Sequence, residues 1–269
     1  MKRPDIEIAV VGMGLIGGSF FKSSVRVGFK VHGLHHRDET GFENADLILV
    51  CLPPEAIVPW IETHSSRFRK GATVVDICGV KRTIMRDLAG ITRDGWHFIG
   101  GHPMAGREVS GFANSTDDLF VGASMILTPF ADTPAEIIDL LKDYFAAVGF
   151  AETVLSTPER HDDIIAFTSQ LCHVIATTYS RDERVRDAVG FSAGSYADMT
   201  RIATQDPAVW RSLYAENRDS LVEVMDSFIA RFAEMRNAIA DGDSTAVEHM
   251  IAEGAAAKRE ELLARERGD

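Results

Sequence analysis

Residues 6–37 read IEIAVVGMGLIGGSFFKSSVRVGFKVHGLHHR. Residues 6–11, apolar apart from Glu7, have the make-up of a buried strand. They run directly into Gly12-Met13-Gly14-Leu15-Ile16-Gly17. A helix is predicted from there to Gly28, and FKVHGL returns as a second strand. Glycines at this spacing also mark ordinary turns. Here strand, glycines, helix and strand arrive in the order of a βαβ dinucleotide-binding unit. In that unit Gly12 permits the tight turn, Gly14 lets the backbone approach a pyrophosphate, and Gly17 lets helix and strand pack closely. Leu15, Ile16 and Gly17 then open the helix, whose N-terminal N–H groups suit phosphate.

Where the second strand ends, an Asp or Glu would bind the ribose 2′-hydroxyl of NAD. His35, His36 and Arg37 stand there instead, and Asp38 comes slightly late. Arg37 suits a 2′-phosphate, and either histidine suits adenine or that phosphate; a solvated polar loop is the plainer alternative. The cofactor expectation is therefore NADP, with NAD as the alternative. Only DETGFENA separates this loop from the next strand, DLILVCLPP, so the usual intervening helix and strand are expected to be shortened or missing.

GATVVDICGVKRTI, residues 71–84, reads as a strand followed by a turn, and SMILTPF, residues 124–130, as a further strand. Between them WHFIGGHPMAG, residues 96–106, reads as a strand followed by a loop carrying His102, since IGGHPMAGREVSGF, residues 99–112, is punctuated by glycine and proline. Ligands of open α/β sheets bind beyond the carboxyl ends of the strands. That rule brings Asp76, Cys78, Gly79, Lys81 and His102 to the mouth formed by residues 12–17. Small residues there leave room for a nicotinamide, and one imidazole can exchange a proton with substrate.

From about residue 155 the pattern turns helical. Ser156 and Thr157 offer caps, Pro158 suits a first turn, and Glu159 adds favourable charge. Helical spacing puts Asp162, Ser169 and His173 on one face, where a buried structural histidine and a site histidine are equally good readings. Asp206 and Pro207 start a second helix expected to reach about Asp241, with Trp210, Leu213, Phe228 and Phe232 on its apolar face. Ser244 is expected to cap a last helix. A helix of that length exceeds what the remaining residues can cover, which predicts a homodimer through the helical half. The fold expected is thus α/β: a Rossmann-type dinucleotide-binding domain over residues 1–153, then an all-α substrate and dimerisation domain over residues 154–269.

Composition narrows the function. The chain has 269 residues, is 45% hydrophobic and 25% charged, and carries a net charge of −12, which disfavours nucleic-acid and anionic-membrane surfaces. Its three cysteines are far apart and fit no zinc spacing, so no metal and a reducing, cytoplasmic setting are expected. Lys2 and Arg3 precede an apolar run, but Asp5 and Glu7 interrupt it too early for a signal peptide.

With these stretches in view, the chain resembles the prephenate/arogenate dehydrogenase family of tyrosine biosynthesis over nearly its whole length. The resemblance rests on GGHPMAG followed by SG, LF and ILTP, then HDDIIAFTSQLCH and DMTRIATQDPAVW, in that order. It implies oxidative decarboxylation of prephenate, a cyclohexadienol, or of arogenate. Hydride leaves the carbon bearing the 4-hydroxyl, and loss of carbon dioxide makes the ring aromatic. On this resemblance His102 takes the hydroxyl proton, Arg201 holds a substrate carboxylate, and His173 lines the substrate pocket. Three departures stand out: Gly79 replaces a frequent serine, SQLCH puts Gln170 and Cys172 where a histidine and a proline are usual, and Arg107 replaces a common threonine beside the pocket. Neither a preceding chorismate mutase segment nor a trailing regulatory ACT domain is expected. Two other readings stay open: a dehydrogenase of another small carboxylate, usually marked by a lysine absent from residues 158–180, and a nucleotide-sensing protein without turnover.

Overall fold

The computed structural model describes residues 5–91, 93 and 95–267; Lys2 and Arg3 lie outside the described residues. Two compact units divide at the junction of Leu221 and Val222.

The first unit is built on a seven-stranded sheet. Its elements begin with β1 (Glu7–Val11), α1 (Leu15–Val27), β2 (Lys30–Leu34), β3 (Leu47–Val50), α2 (Pro54–His64), β4 (Thr73–Asp76) and α3 (Arg82–Ala89). There follow β5 (His97–Pro103), β6 (Ser124–Pro129), α4 (Ala135–Val148) and β7 (Glu152–Leu155). The spatial order is β2-β1-β3-β4-β5-β6-β7, parallel throughout except for the antiparallel β5–β6 pair. The sheet ends at β2 with no helix or strand between β2 and β3, as the short DETGFENA connection demanded. The order reverses at β1, so the crevice between the carboxyl ends of β1 and β3 is the ligand-binding switch point.

Period-two alternation decides which side chains face which layer. Ala9, Val11, Ile48, Val50 and Val74 point to one face, with Ile57, Trp60, Ile61, Ile84 and Leu88 of α2 and α3. Ile8, Val10, Leu47, Leu49 and Val75 point to the other, with Phe20, Leu141, Tyr144 and Phe145 of α1 and α4. Burial on both faces explains the near-continuous apolar strands. Between α1 and α4 the buried Ser24 and Tyr144 hydroxyls share a 2.9 Å hydrogen bond, which satisfies both.

The helical segments are α5 (Pro158–Ile165), α6 (Leu171–Ser180), α7 (Gly194–Thr200), α8 (Pro207–Glu216), α9 (Arg218–Asp241) and α10 (Ser244–Arg267). Thr157 caps α5, accepting from Arg160 N–H, and Asp206 caps α8, accepting from Ala208 and Val209 N–H. Three expectations are corrected. The helix expected from Pro207 to Asp241 breaks at Asn217, whose side chain bonds back to the α5–α6 segment instead of continuing a regular surface. The cap of α10 is Asp243, which accepts from Ala246 N–H; Ser244 is already the first helical residue. Between α5 and α6, residues Ala166–Gln170 form a wide π turn in which Leu171 N–H reaches back five residues to the Ala166 carbonyl. The added residue breaks the single polar face expected for Asp162, Ser169 and His173.

Candidate active site

His102 lies in β5, not on a loop: it pairs opposite Ile126 of β6. The glycines that suggested a loop are there because neighbours leave no room. A Cβ on Gly100 would collide with the Thr128 hydroxyl, and one on Gly101 would lie 2.7 Å from the Asp76 carbonyl oxygen. Glycine thus lets β5 pair closely instead of ending it.

Beneath this strand Lys81 and Asp76 form an ion pair with no exposed surface. Asp76 also accepts from the N–H groups of Cys78 (3.0 Å) and Gly101 (3.4 Å). Burial pushes the Asp76 carboxyl up, while Lys81 holds it down. Burial also pushes the Cys78 thiol up to about 12 and the Cys51 thiol higher still, so neither is a thiolate at neutral pH.

The sequence reading missed His161. Its Nε2 lies 2.9 Å from His102 Nδ1, and its Nδ1 lies 2.8 Å from Asp162 Oδ1. The two Asp162 oxygens accept from the backbone N–H groups of Lys81 and Arg82, each at 2.8 Å, at the start of α3. Asn217 Nδ2 donates to the Asp162 carbonyl (2.8 Å) and to Gln170 Oε1 (2.9 Å). Gln170 is therefore a buried tie between helices. The other nitrogen of His102, Nε2, would lie 3.7 Å from a Cβ on Gly79, with Leu213 of α8 beside the same point at 3.4 Å. Burial drives His102 well below the ordinary histidine range, and His161 and the Lys81 ammonium add to the effect.

A second cluster gathers around α8. The His173 ring stacks on Trp210 with centroids 3.6 Å apart, and His173 Nδ1 donates to the Ser169 carbonyl at 3.0 Å. Burial lowers the pKa of His173; Glu108 opposes that shift and Arg201 adds to it. Arg201 pairs with Glu108 of the β5–β6 connection, and its side chain remains 65% exposed. Arg107, beside Glu108, is exposed. Trp210 and Leu213 are three residues apart on α8 and so share a helix face, one meeting His173 and the other the Gly79 turn.

The residues around Gly12 fit a dinucleotide. Gly12 has φ +95°, a conformation that suits glycine, and Cβ atoms on Gly12 or Gly17 would strike the Cys51 or Gly12 carbonyl. A Cβ on Gly14 would meet nothing within 4 Å, so the backbone there is open to a ligand. No side chain caps the start of α1 and no acidic residue occupies its first turn, which leaves the Leu15, Ile16 and Gly17 N–H groups for an anion. Beyond β2, Asp38 accepts from His35 N–H at 2.7 Å and Arg37 Nε donates to His36 Nε2 at 3.2 Å, all in exposed positions. Among the described residues, no cluster of His, Cys, Asp or Glu is arranged to hold a metal, and no helix is long and apolar enough to cross a membrane.

Two family models match the chain: "Prephenate dehydrogenase, nucleotide-binding domain" over residues 22–154 and "Prephenate dehydrogenase, dimerization domain" over residues 157–253. The chain is 32% identical to a cyclohexadienyl dehydrogenase of Zymomonas mobilis, covering 88% of this chain and 90% of that one. It is 26% identical to a prephenate dehydrogenase of Bacillus subtilis, covering 91% and 73%. Among solved structures it resembles prephenate dehydrogenase from Aquifex aeolicus in complex with hydroxyphenyl propionate and NAD+. That likeness has a TM-score of 0.81 at 27% identity and covers 97% of this chain and all of that one.

Proposed function

The chain belongs to the prephenate dehydrogenase family, and we propose that His102, Arg201 and the Gly12–Gly17 turn divide the work of the family reaction. The activity is an NAD(P)-linked oxidative decarboxylation in tyrosine biosynthesis, acting on prephenate or arogenate. Bound NAD(P) supplies the hydride acceptor.

The chain's own groups do the rest. One observation carries the proposal: His102 Nδ1 is engaged by His161 while Nε2 faces the Gly79 turn at the sheet mouth. A neutral imidazole so held accepts the 4-hydroxyl proton through Nε2. Arg201 offers a planar fork to a substrate carboxylate, with Arg107 adding positive charge on the adjoining connection. His173, braced on Trp210, lines the substrate side. Gly12, Gly14, Leu15, Ile16 and Gly17 cradle the pyrophosphate. His35, His36 and Arg37 receive the adenosine end, and NADP is preferred over NAD. Supporting that preference, Asp38 is engaged by the His35 N–H, and Arg37 follows the end of β2 by three residues in an exposed position.

We assign residues 1–153 to cofactor binding and residues 154–269 to substrate binding and dimerisation. The homodimer reading is supported by the matched dimerization-domain model and by exposed apolar side chains such as Phe167, Tyr179 and Phe191. A cytoplasmic location agrees with three unpaired cysteines. The assay that tests the function follows reduced nicotinamide at 340 nm with prephenate and arogenate, each against NAD and NADP. Turnover of one of these substrates is expected, and turnover of neither would overturn the assignment.

A further inference from the structure

We propose that His161 and Asp162 are positioning residues that fix His102 as its Nδ1–H tautomer and receive charge from it during turnover. The proposal rests on the reading of His102 as the base. It starts from hydrogen-bond polarity. Both oxygens of Asp162 accept from backbone N–H groups, which only donate. A carboxylate bonded in this way accepts from His161 as well, so the proton of that 2.8 Å contact sits on His161 Nδ1. A neutral imidazole carries one N–H, which leaves His161 Nε2 as an acceptor. Across the 2.9 Å contact, His102 Nδ1 is then the donor. His102 Nε2, left with a bare lone pair, faces Gly79 and Leu213.

The titratable groups around His102 favour this resting state. They are His161 and Asp162 of α5, and Lys81 with its partner Asp76 below the strand. Burial and the Lys81 ammonium oppose a second positive charge on either imidazole, whereas Asp162 favours it on His161. Proton uptake at His102 is therefore relieved by moving charge one ring back. The substrate O–H bond breaks as the His102 Nε2–H bond forms. The His102 Nδ1–H bond breaks as His161 Nε2–H forms, and the charge rests against Asp162. When decarboxylation turns the same oxygen into a phenolate, the proton returns by the reverse path. No proton is gained or lost over the cycle, and both rings are reset.

Nitrogen-15 NMR of the ligand-free protein labelled at histidine reads the tautomer without turnover. His102, assigned with a His102→Asn variant, is expected to show a protonated Nδ1 and an unprotonated Nε2 at neutral pH. His161→Leu removes the acceptor and is expected to mix the His102 tautomers and to lower kcat about 10²-fold, with KM within a few-fold. His161→Gln restores an acceptor but takes no proton. It is expected to recover the tautomer and only part of kcat. An Nε2-protonated His102 in the parent protein, or a His161→Leu enzyme with kcat within twofold, would overturn the relay. If the leucine variant does not fold, the parent tautomer and the glutamine variant still decide. His102→Asn separates the two readings. Near-normal turnover there overturns the base assignment itself, whereas a 10²–10⁴-fold loss beside a normal His161→Leu enzyme overturns the relay alone.

Discussion

Replacing Arg201 by alanine tests the substrate side of the site. In the free protein its guanidinium is paired with Glu108, so a substrate carboxylate binds by exchange and not by meeting an idle cation. Charge-assisted hydrogen bonds contribute about 1.5–3 kcal/mol. The side chain is 65% exposed, which favours the lower end of that range. The exposed pair with Glu108, worth about 0–1 kcal/mol, is lost from the free state of the variant and must be subtracted. A net loss of about 1 kcal/mol remains, equivalent to a roughly fivefold weaker carboxylate contact. The expected result is a KM about fivefold higher for Arg201→Ala, with kcat within a few-fold. Arg201→Lys should recover only part, because an ammonium lacks the planar fork. Glu108→Gln should move KM the other way, by about fivefold or less, since it removes the competitor. The assay is initial-rate kinetics at 340 nm with the cofactor saturating, after circular dichroism has shown each variant folded. A folded Arg201→Ala enzyme with KM within twofold of the parent refutes the assignment.

Four further outcomes are expected. Because burial holds the His102 pKa below 6.5, kcat/KM should stay flat from weakly alkaline to neutral pH and fall only in acid; an acid limb centred above 6.5 contradicts a depressed base. The same sign governs stability. His102, His161 and His173 are all depressed, so the unfolded chain binds more protons, and urea midpoints should drop as pH falls below about 6.5. The ratio of kcat/KM for NADP over NAD should exceed one and shrink in Arg37→Ala with NAD turnover spared, an unchanged ratio telling against the loop reading. Light scattering should find a dimer at micromolar concentration, and a stable active monomer would refute it.

Much of this was legible from local chemistry. The glycine turn, the caps Thr157 and Asp206, and the shortened β2–β3 connection each follow from a backbone demand that only certain residues meet. What stayed hidden depends on distant partners. Gly100 and Gly101 read as loop punctuation because their reason, the crowding by Thr128 and Asp76, lies on neighbouring strands. The Asn217 break looked like helix because its ties to Asp162 and Gln170 span about fifty residues of chain. His161 carried one signal, its place beside Asp162 in the first turns of a capped helix, but its contact with His102 is wholly tertiary.

The wide turn at Ala166–Gln170 makes the helical segment a rotational register device. In an uninterrupted α-helix each residue advances the direction of its side chain by about 100°. Asp162, aimed at the start of α3, and His173, aimed at Trp210, are eleven positions apart, and unbroken winding would point them nearly the same way. One surplus residue redirects everything after it by roughly a quarter turn and lets one rod serve two destinations. Losing a single residue between 166 and 170 would thus spare the cap on α3 and still swing His173 off the indole.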